Sequence, residues 1–249
     1  MKIISFSLYN NKDIYNYGAI KNLNLAKKIY PDWIVRFYIG RSVPKEIIKL
    51  LKDNNAQIYK KKEDENATSM LWRYEPFFEK NIDFLIFRDC DSRFSVREKI
   101  SVDEWIASKK QFHIMRDHPY HKTPIMGGLW GVNKEGMRKF RRLFKFSYKK
   151  VYKKYCSLIN NDQGIDQLIL AEKLYPKIMK NSFINDSFYA FEKNSKEFTK
   201  KRLGFSFIGE IYDEKNKFNT FHRNILKKYE SSFFKKMKKK IKSFFFNFN

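Results

Sequence analysis

The first sixty residues constrain the fold most, because they alternate between two hydrophobic periods. "KIISFSLY", Lys2 to Tyr9, reads as a strand, and Ala19, Leu23, Ala26 and Tyr30 then recur at helical spacing until Pro31. "WIVRFYIG" reads as a second strand. "VPKEIIKLLKDNNA" reads as a helix with Pro44 in its first turn and Ile47, Ile48 and Leu51 on its apolar side, and "AQIYK" as a third strand. This β-α-β-α-β order predicts an α/β domain with a mainly parallel central sheet. Ligands of such sheets gather at the carboxyl ends of the strands.

Downstream, "SMLWRYEPFFEK" reads as a helix, "DFLIF" as a strand, and "QFHIMRD" and "GGLWGVN" as two more strands; "GIDQLILAEKLYP" reads as a helix ending at Pro176. The strand "DFLIF" runs straight into Arg88, Asp89, Cys90 and Asp91, with Arg93 close behind. Two carboxylates at a strand end supply hard oxygen ligands for Mg2+ or Mn2+, leaving coordination positions for water and a diphosphate. Arg73, Arg88 and Arg93 can add bidentate hydrogen bonds to phosphate. The alternative is structural, with Asp91 capping the next helix and Asp89 in an ordinary salt bridge. If both aspartates share one face of an extended segment, Cys90 points the other way, into the core.

The 249 residues are 43% hydrophobic, enough for one large core, and no linker or fixed-period repeat interrupts the first two hundred. With only Cys90 and Cys156, a disulfide scaffold is not expected and a reducing compartment is. The opening "MKIISFSLYNNKD" has too short an apolar run for a signal peptide, and no stretch approaches the roughly 20 apolar residues of a membrane span. The formal charge of +25 invites an anionic partner, and it includes lysine clusters at Lys60–Lys62, Lys149–Lys154 and Lys200–Arg202. The densest segment is the C-terminus. There Ile225, Tyr229, Phe233, Met237, Ile241, Phe244 and Phe248 fall on one helical side and most lysines on the other. We expect residues 222–249 to form a basic amphipathic tail on an anionic membrane surface, with each basic residue contributing about 1 kcal/mol; the alternatives are a disordered basic tail or a helix docked on the domain.

Taken in order, the N-terminal alternation, "MLWRYEPF", "FLIFRDCDSRFS", "GGLWGVN" and "DQLILAEKLYP" resemble bacterial GT-A glycosyltransferases of the type that builds capsule or lipopolysaccharide. The resemblance spans most of residues 1–221. It implies a GT-A, Rossmann-like domain over 1–221 and a nucleotide-sugar donor lying near Ser7, Leu8 and Tyr9. It also implies Mn2+ or Mg2+ on Asp89 and Asp91, His222 as a candidate third metal ligand, and Arg73 near phosphate or sugar. In similar retaining enzymes an Asp-Gln pair lies beside the sugar, which points to Asp166 and Gln167 rather than Asp162 and Gln163. Leu168 follows Gln167 where the familiar run has a second aspartate, so retention or inversion stays open. Helix capping is the alternative for either aspartate.

The stretch from His113 to Gly131 is the expected acceptor region. Gly127 and Gly128 allow close approach of a ligand to the backbone, or else mark a bulge. Asp117 and His118 are candidate general bases, or else loop hydrogen-bonders, while His113 reads as a satisfied core histidine. Glu210 and Asp213 read as surface charges. The function expected is transfer of a hexosyl or heptosyl group to a saccharide or lipid-linked acceptor, by a cytoplasmic enzyme held on the inner face of the cytoplasmic membrane. A haloacid-dehalogenase-type phosphatase is the alternative for "FLIFRDCDS", although that class carries its aspartate on the first strand. A nucleic-acid-binding protein is suggested by charge alone, without a motif, and no nucleic-acid partner is expected.

Overall fold

The computed structural model describes residues 1–141 and 164–231. Lys149–Lys154, Cys156, Asp162, Gln163 and the tail beyond residue 231 lie outside the described residues.

Seven strands form one mixed, mainly parallel sheet: β1 (Lys2–Leu8), β2 (Ile34–Ile39), β3 (Gln57–Lys60), β4 (Phe84–Phe87), β5 (Phe112–Arg116), β6 (Trp130–Asn133) and β7 (Ser182–Asp186). Their order is β3-β2-β1-β4-β6-β5-β7. Only β6 runs antiparallel, to both β4 and β5. The expected α/β class with a mainly parallel sheet is what the chain adopts.

Strand alternation divides the core into two layers. On β1, Ile4, Phe6 and Leu8 face a layer with α1 (Asp13–Ile29), α2 (Lys45–Asp53) and α3 (Val96–Ala107), where Leu23, Leu51, Val102 and Trp105 are buried. Ile3 faces the opposite layer, with Leu71, Tyr74 and Phe77 of the segment Ala67–Phe78 and Ile165, Ile169 and Leu174 further on.

The stretch expected as a helix from Ser69 to Lys80 is helical over Ala67–Phe78, in 3-10 rather than α turns. Its backbone is diverted to β1: the Arg73 N–H donates to Ser7 Oγ at 2.9 Å, Ser7 Oγ donates to the Met70 carbonyl at 3.1 Å, and Ser5 Oγ to the Arg73 carbonyl at 2.7 Å. Pro76, inside the segment, has no N–H to give.

Pro176 does not end its helix. The run begins as α5 (Ile165–Ile169), widens into a π-type turn at Leu170–Leu174 and continues as α6 (Tyr175–Ile178), with Pro176 near the start of that last piece. Proline is tolerated there, in the first turn of a new helical piece. Before it, α4 (Lys134–Phe140) follows β6.

The last described helix, α7 (Thr220–Glu230), crosses the expected boundary between residues 221 and 222. Leu226 is its buried residue, whereas Tyr229 is exposed, and Arg223 pairs with Glu210 at 2.5 Å. This part of the chain therefore docks on the domain. Glu210 is correspondingly buried rather than a surface charge. Among the described residues no helix is long and apolar enough to cross a membrane.

Candidate active site

A cavity of about 870 Å3 opens at the carboxyl ends of β1 and β4 and is bordered by Ser7, Tyr9, Arg73, Asp89, Asp91, Gly127, Gly128, Asp166, Gln167, His118 and His222. Residues expected from six separate stretches thus meet in one place.

Strand parity decides which side chains reach it. Beyond β4, Asp89 continues the face of Leu85 and Phe87 and meets Arg73, whereas Arg88 continues the face of Ile86 and turns towards α3. Arg88 is buried, its Nε donating to Glu98 at 2.7 Å and its Nη1 to the carbonyls of Phe87 at 2.6 Å and Trp130 at 3.2 Å. The expectation that Arg88 contacts the donor is corrected accordingly: it is a core arginine. Parity corrects Leu8 too, which is buried with Phe6 in the helical layer while Ser7 and Tyr9 border the cavity.

Arg73 is the centre of the site. Its Nη1 pairs with Asp89 Oδ1, and its Nη2 donates to Asp166 Oδ2 at 2.5 Å. Tyr74, not singled out from the sequence, donates from its hydroxyl to the same Asp166 oxygen at 3.2 Å. Gly127 and Gly128 fit closely around these carboxylates. A Cβ on Gly127 would collide with Asp166 Oδ2, and one on Gly128 with Asp89 Oδ2. The space that the missing side chains open is filled by acidic groups of the protein, rather than held open for a ligand.

Asp89 is 46% exposed at its side chain, and among the described residues its Oδ2 is in no ion pair. Asp91 forms no ion pair among the described residues, and its carbonyl accepts from Tyr212 N at 2.9 Å. Burial, with Asp89 adding to it, pushes the Asp91 carboxyl up to about 7. A half-buried carboxylate next to another, with no ion pair of its own among the described residues, is a site that a divalent ion stabilises. Among the described residues no three His, Cys, Asp or Glu side chains converge as a metal cluster, so His222 borders the cavity without completing a set with the aspartates. Two carboxylates fit Mg2+ or Mn2+, which retain water and take phosphate oxygens, better than a metal held by protein alone. Cys90 is buried as expected, its Sγ 3.5 Å from the Ser7 carbonyl.

The two candidate bases are otherwise engaged. Asp117 falls on the face of His113, towards α3, and is fully buried. It accepts from Arg97 at 3.0 and 2.9 Å, Arg202 at 2.5 Å, Ser187 at 2.8 Å and the Ile208 N–H at 3.0 Å. Burial alone would raise its carboxyl, but Arg97 and Arg202 outweigh it and hold the group below the ordinary carboxylate range. It does not border the cavity and is a structural hub, not a base. His118 accepts from Tyr120 N at Nδ1 and donates from Nε2 to the His222 carbonyl, both at 3.0 Å. With both nitrogens occupied, it fixes the loop and has no lone pair to offer. His113 is in the core as expected, its Nε2 bonded to Ser101 and Asn185 at 3.0 Å, but it is not satisfied: its buried Nδ1 has no partner among the described residues.

His121 and Phe207 also border the cavity and were not singled out from the sequence. The three-residue spacing of His118 and His121 was the available signal, and Phe207 gave none.

No protein-family model matches the chain, and no curated protein matches it in sequence. Among solved structures it is similar to galactosyltransferase LgtC in complex with donor and acceptor sugar analogs, at 13% identity over 76% of this chain and 74% of that one, with a TM-score of 0.46. It is similar to a glycosyltransferase involved in glycosylation of the major capsid of PBCV-1, at 14% identity, 75% and 82% coverage and a TM-score of 0.44. It is also similar to a cytidylyltransferase from Leptospira borgpetersenii, at 11% identity, 79% and 78% coverage and a TM-score of 0.42. At these values the likeness does not define a family.

Proposed function

We propose that the chain is a metal-dependent glycosyltransferase that uses this cavity to move a sugar from a nucleotide-diphosphate donor to a saccharide or lipid-linked acceptor of capsule or lipopolysaccharide. The observation that carries the reading is the pair Asp89 and Asp91 at the end of β4, facing a cavity large enough for a nucleotide sugar, with Asp91 in no ion pair among the described residues. Asp89 Oδ2 and Asp91 would hold Mn2+ or Mg2+, which screens negative charge on a departing diphosphate. Arg73 fixes Asp89 and Asp166 relative to each other. Asp166 Oδ1, which has no partner among the described residues, is placed to accept from a sugar hydroxyl, with Gln167 beside it. Tyr9, set edge-on to Trp72 at 5.9 Å, offers an aromatic wall for a nucleotide base. The GT-A domain is assigned to the chain up to residue 231, with α7 docked on it. The basic tail, by its sequence pattern, attaches the enzyme to the inner face of the cytoplasmic membrane.

The test is product analysis with a panel of nucleotide sugars, with Mn2+ or with chelator. Release of nucleoside diphosphate that requires the metal and disappears in Asp91→Asn supports the reading. Release of pyrophosphate from a nucleoside triphosphate, or of inorganic phosphate from simple monoesters, would replace it with nucleotidyl transfer or phosphatase chemistry.

A further inference from the structure

The cavity has an aromatic rim that the donor chemistry does not use. Tyr120 is 44% exposed and Phe221 56% exposed, and their ring centroids lie 6.3 Å apart. Both rings stand on a braced backbone. The Tyr120 N–H is bound to His118, His118 is bound to the His222 carbonyl, and Asn219 caps the Phe221 N–H at 3.0 Å. Rigid aromatic faces exposed beside a cavity lose less entropy on covering than mobile ones, and their burial is favourable.

The same cavity, which Tyr120 also borders, carries a donor with nothing to bind among the described residues. His121, also on the cavity wall, is 6% exposed, and its Nδ1 accepts from the Asp117 N–H at 3.0 Å. That bond fixes the ring proton on Nε2, which has no partner among the described residues. Burial pushes the imidazole down to about 3, so the ring is neutral at neutral pH and presents an N–H rather than a base.

An alkyl chain would cover the rings but leave the N–H unpaired. A phosphate would pair the N–H and the Lys122 ammonium, which lies 5.6 Å from the centre of the Tyr120 ring, but would leave the exposed Phe221 face uncovered. A pyranose ring satisfies both, with a C–H face for the aromatics and oxygens for the donor. We propose that Tyr120, Phe221 and His121 form a subsite for a pyranose ring of the acceptor, the two aromatic rings against its C–H face and His121 Nε2 donating to one of its oxygens. Naming that sugar the acceptor rests on the glycosyltransferase reading above; the binding of a pyranose there does not.

Saturation-transfer NMR on the full chain with methyl glucoside, methyl galactoside and methyl mannoside reads the subsite without turnover. At least one should bind, with affinity falling about fivefold in Tyr120→Ala and in Phe221→Ala and persisting in Tyr120→Phe. In His121→Ala it should fall about threefold to tenfold. Tyr120 and Phe221 are exposed, so those variants fold whatever the fate of the His121 variant. The proposal is overturned if no methyl pyranoside binds, if binding is unchanged in Tyr120→Ala and Phe221→Ala, or if n-octanol rather than a sugar is lost from these variants. Calorimetry with UDP, GDP and CDP plus Mn2+ keeps the donor question separate: affinity should be unchanged in Tyr120→Ala. A wild-type protein that binds a pyranoside but no nucleotide would overturn the glycosyltransferase reading and leave the sugar subsite standing.

Discussion

Arg73 and Asp166 are 93 residues apart in the chain, yet Nη2 of one meets Oδ2 of the other at 2.5 Å with both side chains buried. The same guanidinium holds Asp89, so one cation joins the Ala67–Phe78 segment, the end of β4 and α5. Removing one partner of a buried pair leaves an uncompensated charge, which typically costs about 3–5 kcal/mol. Arg73→Ala is therefore predicted to lose stability on that scale in chemical denaturation and to lose turnover. Arg73→Lys, which cannot reach both carboxylates with a fork, should recover little of either.

Gly128→Ala should act on Asp89. The added Cβ would occupy the place of Asp89 Oδ2, so the carboxylate must turn away. Metal-dependent nucleotide affinity should fall at least about tenfold, or 1.4 kcal/mol. In an Asp89→Ala background the same substitution should have almost no further effect, because the collision has gone. Equal losses in both backgrounds would mean that Gly128 acts elsewhere.

Asp117 sets a pH dependence of stability whose sign is fixed by its lowered pKa. The ordinary value is 3.8, and the folded protein holds the group below it through Arg97 and Arg202. Such a group contributes stability that is fully present above its unfolded pKa and is lost as pH falls through the folded value. Thermal unfolding of the wild-type protein should decline below about pH 4. Asp117→Asn should unfold at lower temperature near neutral pH and show a flatter acid limb. Its activity at permissive temperature should keep the wild-type pH profile, since the carboxylate takes no proton from the acceptor.

The C-terminus is predicted to divide at residue 231 rather than 222. Removing residues 223–249 takes away Arg223 and the buried Leu226, and losing a buried leucine alone typically costs about 2–5 kcal/mol. Removing only 232–249 should spare the melting temperature and abolish flotation with anionic liposomes. Flotation that survives the shorter truncation would show that the tail is not the anchor.

Much of the site was legible because the fold delivers strand ends to one edge. The apolar run of β4 ending in Asp89 and Asp91, and the Asp166–Gln167 pair opening a helix, could be placed from period and position. What misled was direction. Arg88 and Leu8 each sit one residue from a site residue, and strand alternation sends them to the opposite layer. Asp117 was misread for a different reason: Arg97 and Arg202, which neutralise it, come from distant parts of the chain and leave no local signal. The helix read over Ser69–Lys80 is present, but as 3-10 turns over Ala67–Phe78 tied to serine hydroxyls on β1, contacts that local propensity does not contain.

Calorimetry of UDP, GDP and CDP binding, with and without Mn2+, in the wild-type protein and in Asp91→Asn tests the central claim most directly. At least one nucleotide should bind the wild type only when the metal is present, and the variant should lose that binding while keeping its melting temperature. The same metal-dependent affinity in Asp91→Asn would contradict the assignment of Asp89 and Asp91 as the cation site.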